Sequence, residues 1–303
     1  SPFELNDWMK DKISIYFDLT KPRISILVLV TAYLGYYMGQ RSQGGDHLMD
    51  FNSYISLIYL LIGTWATSAC AAVLNQVIEW KQDAQMARTK NRPIVVGDVG
   101  RFQAFIFASI LGISGFVLLY KLLNPITAWI SAATVLLYIF LYTPSKKITT
   151  WNTIIGSVPG ALPPVGGWTA ATGSLEATAW ILFGILFCWQ MPHFLAIAII
   201  YASDYEKGGF KMLPTIYPES RRTSYVILFF TITLLIVSLG LYILKAVGIF
   251  YAVSAAILGT VFFMVALQVI MNSNKKNARR LMLASIIYLP VLFIIILIER
   301  IIQ

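Results

Sequence analysis

Charged residues divide the chain into long apolar stretches separated by short polar ones. Nine stretches contain no Asp, Glu, Lys or Arg, and each has between 17 and 29 residues. A helix needs about 20 residues to cross the hydrocarbon core of a bilayer, so each stretch is long enough to cross once. The pattern predicts an all-α polytopic membrane protein, a bundle of nine transmembrane helices. The stretches are residues 24–40, 51–78, 102–120, 122–145, 148–175, 177–203, 223–244, 246–274 and 281–298.

The polar stretches predict where a surface segment and the functional loops lie. Residues 1–23 mix acidic and basic side chains with Trp8, Ile13 and Phe17, which is typical of an amphipathic segment on a membrane surface. Ionisable side chains are dense again in two loops, about 79–101 and 204–222. We therefore expect one transmembrane domain over residues 1–303, with its site carried by these two loops.

The basic residues predict the orientation of the bundle. If each stretch crosses once, 19 Lys and Arg residues lie on the side of the N-terminus and 4 on the other side. Loops rich in Lys and Arg stay in the cytoplasm, so the N-terminus is predicted to be cytoplasmic.

Composition and charge argue against a soluble globular protein and against a nucleic-acid-binding protein. Charged residues are 12% of the chain and the mean hydropathy is +0.72, whereas soluble domains carry about 25% charged residues. The net charge of +9 comes from short loops between apolar stretches, so we expect contact with anionic lipid and no nucleic-acid partner.

The first candidate cluster closes the second apolar stretch. Asn75, Glu79 and Asp83 recur every four residues, so on a helix they share one face and climb about 12 Å along it. Oxygen ligands of this kind suit Mg²⁺, which binds one or two carboxylates together with substrate phosphates. Arg88 and Arg92 follow and could bind phosphate oxygens. The alternative is a solvated helix end whose basic residues only set the topology.

The second cluster follows the sixth stretch. Asp204 comes after 27 uncharged residues, and Lys207 and Lys211 would share its face if the helix continued, which Gly208 and Gly209 make doubtful. Elsewhere, Lys146 belongs to a lysine pair predicted on the same side of the membrane, where it could simply determine topology. Residues 156–168 are rich in Gly and Pro, and we expect them to form an irregular cavity wall.

His193 is the one histidine inside an apolar stretch, beside Gln190 and Pro192. A lone histidine in a helix is commonly a hydrogen-bonded packing residue. The neighbouring Pro and Gln favour a polar pocket instead, in which His193 is an iron ligand or a proton-transfer group.

These features together fit an amphiphile with a diphosphate head and a long apolar tail. The chemistry they favour is the ionisation of a prenyl diphosphate, in which Mg²⁺ and Lys or Arg stabilise the leaving group. A dry pocket would protect the allylic cation from water.

The chain also resembles a known family, the UbiA superfamily of intramembrane prenyltransferases, and within it the protoheme IX farnesyltransferases (heme O synthases). The resemblance implies a UbiA-like bundle that transfers a farnesyl group from farnesyl diphosphate to a vinyl group of heme B, with addition of water. Gln76 and Gly208 stand where the wider superfamily has carboxylates. The segments that carry the resemblance are 75–93, 142–143, 160–164, 167–168, 189–194, 204–205 and 212–214.

The resemblance implies a role for each candidate residue. Four residues would hold Mg²⁺ and diphosphate and serve catalysis: Asn75, Glu79, Asp83 and Asp204. Five cations would bind the diphosphate: Arg88, Arg92, Lys146, Lys207 and Lys211. His193 and Trp189 would contact the heme, and His193 would also be catalytic.

Two other functions stay open at this point. A related enzyme would prenylate a quinone precursor or a chlorin, and a protein of another class would be a transporter or lipid-binding membrane protein. Further expected partners are the lipid bilayer and a heme A synthase or oxidase assembly factors. The bacterial inner membrane is favoured over the mitochondrial inner membrane as the location.

Overall fold

A computed structural model describes residues 2–46 and 48–302, and every regular element in these ranges is helical. A π-helical segment, Leu137–Tyr142, joins the sixth and seventh α-helices. The α-helices in chain order are α1 (Pro2–Leu19), α2 (Pro22–Ser42), α3 (Phe51–Gln85), α4 (Pro93–Val96), α5 (Arg101–Leu122), α6 (Pro125–Leu136), α7 (Thr143–Ile148), α8 (Asn152–Ala161), α9 (Pro163–Thr172), α10 (Ala177–Ile200), α11 (Ala202–Lys207), α12 (Leu213–Ile216), α13 (Arg222–Ser238), α14 (Gly240–Ile243), α15 (Ile249–Met271) and α16 (Lys275–Ile302).

The helices confirm an all-α integral membrane protein. Seven helical spans in the described ranges are long and apolar enough to cross a bilayer. Of the nine stretches, 24–40 lies within the 21 residues of α2, and 148–175 divides into the shorter helices α8 and α9. The count of nine crossings and the cytoplasmic N-terminus stay predictions. The seven spans are Phe51–Gln85, Arg101–Leu122, Pro125–Ile148, Ala177–Ile200, Arg222–Ile243, Ile249–Met271 and Lys275–Glu299.

The Gly/Pro-rich segment is helical, so the expectation of an irregular wall is wrong. It forms α8 and α9, which meet at Leu162. Pro163 and Pro164 begin α9. Proline lacks a backbone N–H, and it fits the first turn of a helix because N–H groups there have no intrahelical acceptor. Gly167 allows close packing of α9 against α2. A side chain on Gly167 would collide with the carbonyl oxygen of Ala32.

Helix α10 occupies the centre of the packing. It contacts α8, α13 and α16, and its buried side chains join the largest apolar cluster of the molecule. In contrast, α5 exposes a row of large apolar residues such as Phe105, Ile110 and Ile113, as expected for a helix that faces lipid. Interfaces between helices in lipid depend on close packing and polar contacts, because lipid tails are as apolar as leucine.

Several elements converge at one end of the bundle. The C-terminal end of α3 lies near the π-helical segment and α11, and α11 packs against α12. The N-terminal helix α1 also contacts α3 there. The ring of Tyr16 in α1 packs against the ring of Phe107 in α5, with 5.0 Å between centroids. Most of segment 1–23 is thus helical, as Pro2–Leu19, and this helix packs beside the helix that carries Asn75.

We predict that Gly167→Ala lowers the free energy of unfolding by about 1–3 kcal/mol, because the new methyl group meets the α2 backbone, which cannot rotate away. Thermal unfolding of the purified protein in detergent measures the effect. Gly166→Ala is the matched control, since its nearest neighbour would be Ile130 Cγ2 at 3.7 Å, an ordinary contact. Equal stability of the two variants would contradict this account.

Candidate functional site

The last turns of α3 bring three polar side chains into the interior. Asn75, Glu79 and Asp83 are all buried, with exposed fractions of 1%, 2% and 1%. All three lie in the same continuous helix, so their four-residue spacing places them on one face, as the sequence predicts. Two buried carboxylates need partners, because a charge removed from water without compensation is costly.

Those partners are cations from two other elements. Lys146 of α7 places its Nζ 3.0 Å from Oε1 and 3.1 Å from Oε2 of Glu79. Arg92, at the start of α4, donates from one guanidinium nitrogen to Asp83 Oδ2 at 2.6 Å. The Lys146 ammonium also lies 4.7 Å from the centroid of the Tyr142 ring. The structure therefore joins candidates from α3, α4 and α7 in one cluster of alternating charge.

The cluster includes a residue that the sequence analysis missed. Lys21, between α1 and α2, donates from Nζ to Asn75 Oδ1 at 3.4 Å. Its backbone adopts φ 50° and ψ 64°, a left-handed conformation that is uncommon for a lysine and that directs the chain into α2. The sequence signal is the Lys-Pro-Arg triplet immediately before the first apolar stretch, which also resembles an ordinary topology determinant.

The π-helical segment leads into Thr143 and Lys146, the residues that face α3 across the cluster. A π-turn adds one residue to a helical turn, and such turns are frequent at functional sites. Here the segment ends directly before Thr143, whose hydroxyl accepts a hydrogen bond from Asn75 Nδ2 at 3.2 Å and donates one to the carbonyl of Tyr138 at 2.9 Å. The segment thus links the amide of Asn75 to the helix that carries Lys146.

Asp204 joins the two polar loops that are predicted to carry the site. Helix α10 ends at Ile200, and Asp204 lies in the separate short helix α11. Its carboxylate accepts hydrogen bonds from the backbone N–H groups of Ala87 at 2.9 Å and Arg88 at 3.2 Å. Desolvation raises its pKa, but these two bonds and the Lys207 ammonium outweigh desolvation and hold the pKa of Asp204 below its ordinary value.

The remaining cations lie at the edge of the site. The Arg88 guanidinium bonds to the Tyr205 hydroxyl at 3.1 Å and covers the ring of Tyr201. Helix α11 contains both Asp204 and Lys207, three residues apart, but it ends at Lys207. The expected helical relation to Asp204 therefore holds for Lys207 and is wrong for Lys211. Lys211 instead bonds through Nζ to the carbonyl of Ile148 at 3.4 Å.

The donor set fits a divalent cation shared with a substrate. Among the described residues, no group of three or more His, Cys, Asp and Glu is close enough to hold a metal ion. However, Asp83 Oδ1 is buried without a hydrogen-bond partner, and it lies on the helix face that carries Glu79 and Asn75. Mg²⁺ needs only one or two carboxylates when phosphate oxygens and waters complete its shell. An orphaned carboxylate oxygen of this kind suits such a site.

A second cluster lies between α10 and α16. His193 Nδ1 is 2.7 Å from Ser285 Oγ, and the indole N–H of Trp189 donates to the carbonyl of Ser285 at 2.8 Å. The rings of Trp189 and His193 are stacked, with centroids 4.9 Å apart and planes at 14°. His193 lies seven residues before the end of α10, about 10 Å along the axis. The structure thus brings His193 and Trp189 together, and no hydrogen bond among the described residues links either side chain to the acidic residues.

The model of the UbiA prenyltransferase family matches residues 28–293, which is most of the chain. The chain belongs to the UbiA prenyltransferase family. A curated relative from Solibacter usitatus, "Protoheme IX farnesyltransferase", is 39% identical over 287 residues, which are 94% of this chain and 98% of the relative.

Solved structures share the fold. The structure of a digeranylgeranylglyceryl phosphate synthase has a TM-score of 0.79 at 20% identity, and the match covers 95% of this chain and 98% of that one. A UbiA homologue from Archaeoglobus fulgidus, bound to GPP and Mg²⁺, has a TM-score of 0.60 at 13% identity over 93% of this chain and 99% of that one. At these identities the likeness establishes the fold.

We predict that Asp204→Asn loosens the junction between the two loops. The amides of Ala87 and Arg88 lose a charged acceptor, so their protection from hydrogen exchange should fall about three- to tenfold. Hydrogen exchange with mass spectrometry measures the change, and Glu206→Gln, an exposed neighbour in α11, is the control. Because the folded pKa of Asp204 is lowered, wild-type protection should be complete above the ordinary carboxyl pKa and lost as pH falls through the folded one. Protection of both amides unchanged in Asp204→Asn would contradict this role.

Proposed function

We propose that this protein transfers a farnesyl group from farnesyl diphosphate to a vinyl group of heme B, with addition of water, to give heme O. The observation that carries the proposal is a buried cluster of carboxylates and cations at one end of an intramembrane bundle. The chain that forms it is 39% identical to a protein named for farnesyl transfer to protoheme IX. Such a cluster suits the diphosphate head of a substrate whose apolar tail stays among membrane helices.

The basic residues bind and activate the leaving group. In our proposal Lys146 and Arg92 release part of their hold on the carboxylates when the diphosphate arrives, and Lys21 releases Asn75. The three cations then stabilise the negative charge that grows on the diphosphate as its bond to carbon breaks. Arg88 lies where Asp204 joins the two loops, and its guanidinium could bind an outer phosphate oxygen. Lys207 and Lys211 lie at the edge and attract the anionic head before it binds.

The acidic residues account for the metal. Asn75, Glu79 and Asp83 would hold Mg²⁺ from α3, with Asp204 contributing if α11 shifts toward the diphosphate. Bound Mg²⁺ would neutralise developing charge on the phosphate oxygens. The UbiA homologue from Archaeoglobus fulgidus was solved with GPP and Mg²⁺, which supports use of the metal in this family.

The rest of the reaction takes place among apolar side chains. The bond between C1 of the farnesyl group and the diphosphate oxygen breaks, and the diphosphate keeps the electron pair. The terminal vinyl carbon then bonds to C1, and the oxygen of a water molecule adds to the adjacent carbon and loses a proton. Tyr138 and Tyr142 lie beside Lys146, where their rings could exclude water from the cation before the vinyl group reacts.

The location and partners follow from the substrates. Farnesyl diphosphate is an amphiphile, and heme is a poorly soluble macrocycle, so both are available at a membrane surface. The bacterial relatives support the bacterial inner membrane as the location. A heme A synthase or an oxidase assembly factor would receive the farnesylated product.

The first test is a product assay. We expect the purified protein, given heme B, farnesyl diphosphate and Mg²⁺, to produce a heme heavier by one farnesyl group and one water in mass spectrometry, and EDTA should abolish the product. Unmodified heme accompanied by free farnesol would contradict heme as the acceptor and point to a quinone precursor or a chlorin. If neither substrate changed, the proposed enzyme activity itself would be wrong, and a flux assay in liposomes would test the transporter alternative.

The second test concerns the carboxylates of α3. We predict that Asp83→Asn lowers kcat at least ~10²-fold, a loss of about 2.7 kcal/mol of transition-state stabilisation. Asp98→Asn is the matched control, because Asp98 is exposed and its carboxylate forms no hydrogen bond or ion pair among the described residues. The assignment of the diphosphate site would fail if both variants retained wild-type turnover.

A further inference from the structure

The hydrogen bonds around Ser285 determine which nitrogen of His193 carries a proton. Ser285 Oγ is 2.5 Å from the carbonyl oxygen of Met282 and 2.7 Å from His193 Nδ1. A carbonyl oxygen only accepts hydrogen bonds, so the single hydroxyl hydrogen must point to Met282. Ser285 Oγ can then only accept at Nδ1, which requires Nδ1–H. When the imidazole of His193 is neutral, its lone pair is therefore on Nε2.

The surroundings leave this lone pair available. No hydrogen bond to His193 Nε2 is formed within the ranges 2–46 and 48–302, and the side chain is only partly buried. The opposite edge is fixed, because Ser285 is completely buried and belongs to the long helix α16. The stacked ring of Trp189 also limits rotation of the imidazole, and its own N–H is held by the carbonyl of the same serine.

We propose that Ser285 is a positioning residue that presents His193 Nε2 as the axial ligand of the heme iron. This inference rests on the proposed function. A histidine ligand commonly donates its second N–H to an oxygen acceptor, which fixes the tautomer and ring orientation and raises the basicity of the ligating nitrogen. Ser285 supplies that acceptor, and its own hydrogen is directed away to Met282.

An iron ligand suits the location of His193 better than a base for the water. A general base must come within hydrogen-bond reach of the attacking water, directly or through one further water. That water adds to the vinyl carbon attached to the macrocycle, two bonds from C1 of the farnesyl group. No hydrogen bond or ion pair of the described residues connects His193 with the acidic cluster. The vinyl groups lie at the rim of the macrocycle, so a ligand at its centre can be distant from the diphosphate.

One substitution separates the two hydrogen bonds that Ser285 makes to α10. Ser285→Ala removes the acceptor for Nδ1–H and keeps the backbone carbonyl that holds Trp189. Ser285→Thr retains a hydroxyl and should restore the function. Ser238→Ala is the matched control. Ser238 is also fully buried, its Oγ donates to the carbonyl of Leu235 at 2.8 Å, and its own carbonyl accepts from the Tyr251 hydroxyl at 2.9 Å.

The experiment titrates the purified full-length variants with heme B alone and follows binding by absorbance. The iron–imidazole stretching band of the ferrous complex is recorded by resonance Raman spectroscopy. We expect Ser285→Ala to raise the Kd for heme about 10- to 100-fold and to shift the band to lower frequency. Ser285→Thr should stay near the wild type, and Ser238→Ala should match it.

Two outcomes would overturn the inference, and a third would overturn only the proposed function. Wild-type heme affinity and an unshifted band in Ser285→Ala would exclude the positioning role. If His193→Ala bound heme with the wild-type spectrum, His193 would not be the ligand, even though the product assay could still succeed. If the wild type bound heme through His193 but formed no farnesylated product, the proposed function would fail while the role of Ser285 in heme binding would stand.

Discussion

The structure depends on keeping two carboxylates inside a membrane bundle. Glu79 and Asp83 are almost completely buried on α3, and each is compensated by one cation from a different element. Removing one partner of such a pair leaves an uncompensated charge, which typically costs several kcal/mol. These ion pairs bring the C-terminal end of α3 together with α7 and with the start of α4, because the carboxylates of α3 need the cations of the other two elements. The same pairs are a store of binding groups that an incoming diphosphate and its metal could recruit.

Helix α10 connects this cluster with the second one. Its C-terminal end leads into Asp204, which holds the turn at Ala87 and Arg88, while its interior carries Trp189 and His193. Gln190, between them, donates to the carbonyl of Ser157 in α8 at 3.2 Å. One helix thus fixes the position of the proposed heme site relative to the proposed diphosphate site.

The sequence carries much of this organisation and misses the rest for physical reasons. Charge-free stretches locate the long helices, since a bilayer demands about 20 apolar residues, and the four-residue spacing places Asn75 and Glu79 on one face. The same reasoning misjudged the Gly/Pro-rich segment, where glycines allow helices to touch instead of breaking them. Lys21 and Ser285 escaped because their importance arises from partners 54 and 92 residues away in the chain. A lysine before an apolar stretch and a serine within one have no local pattern that reveals such partners.

The separation of the two clusters is itself what the reaction would require. Ionisation of an allylic diphosphate needs charge, metal and hydrogen-bond donors, whereas the cation it forms survives only where water and nucleophilic side chains are scarce. A binding group for the second substrate therefore belongs away from the acids. It must still be rigid, since a displacement of about 1 Å between reacting atoms can cost two orders of magnitude in rate. In this chain the rigidity comes from Ser285, which holds the imidazole of His193 through its side chain and the indole of Trp189 through its backbone, so that α16 fixes both rings against α10.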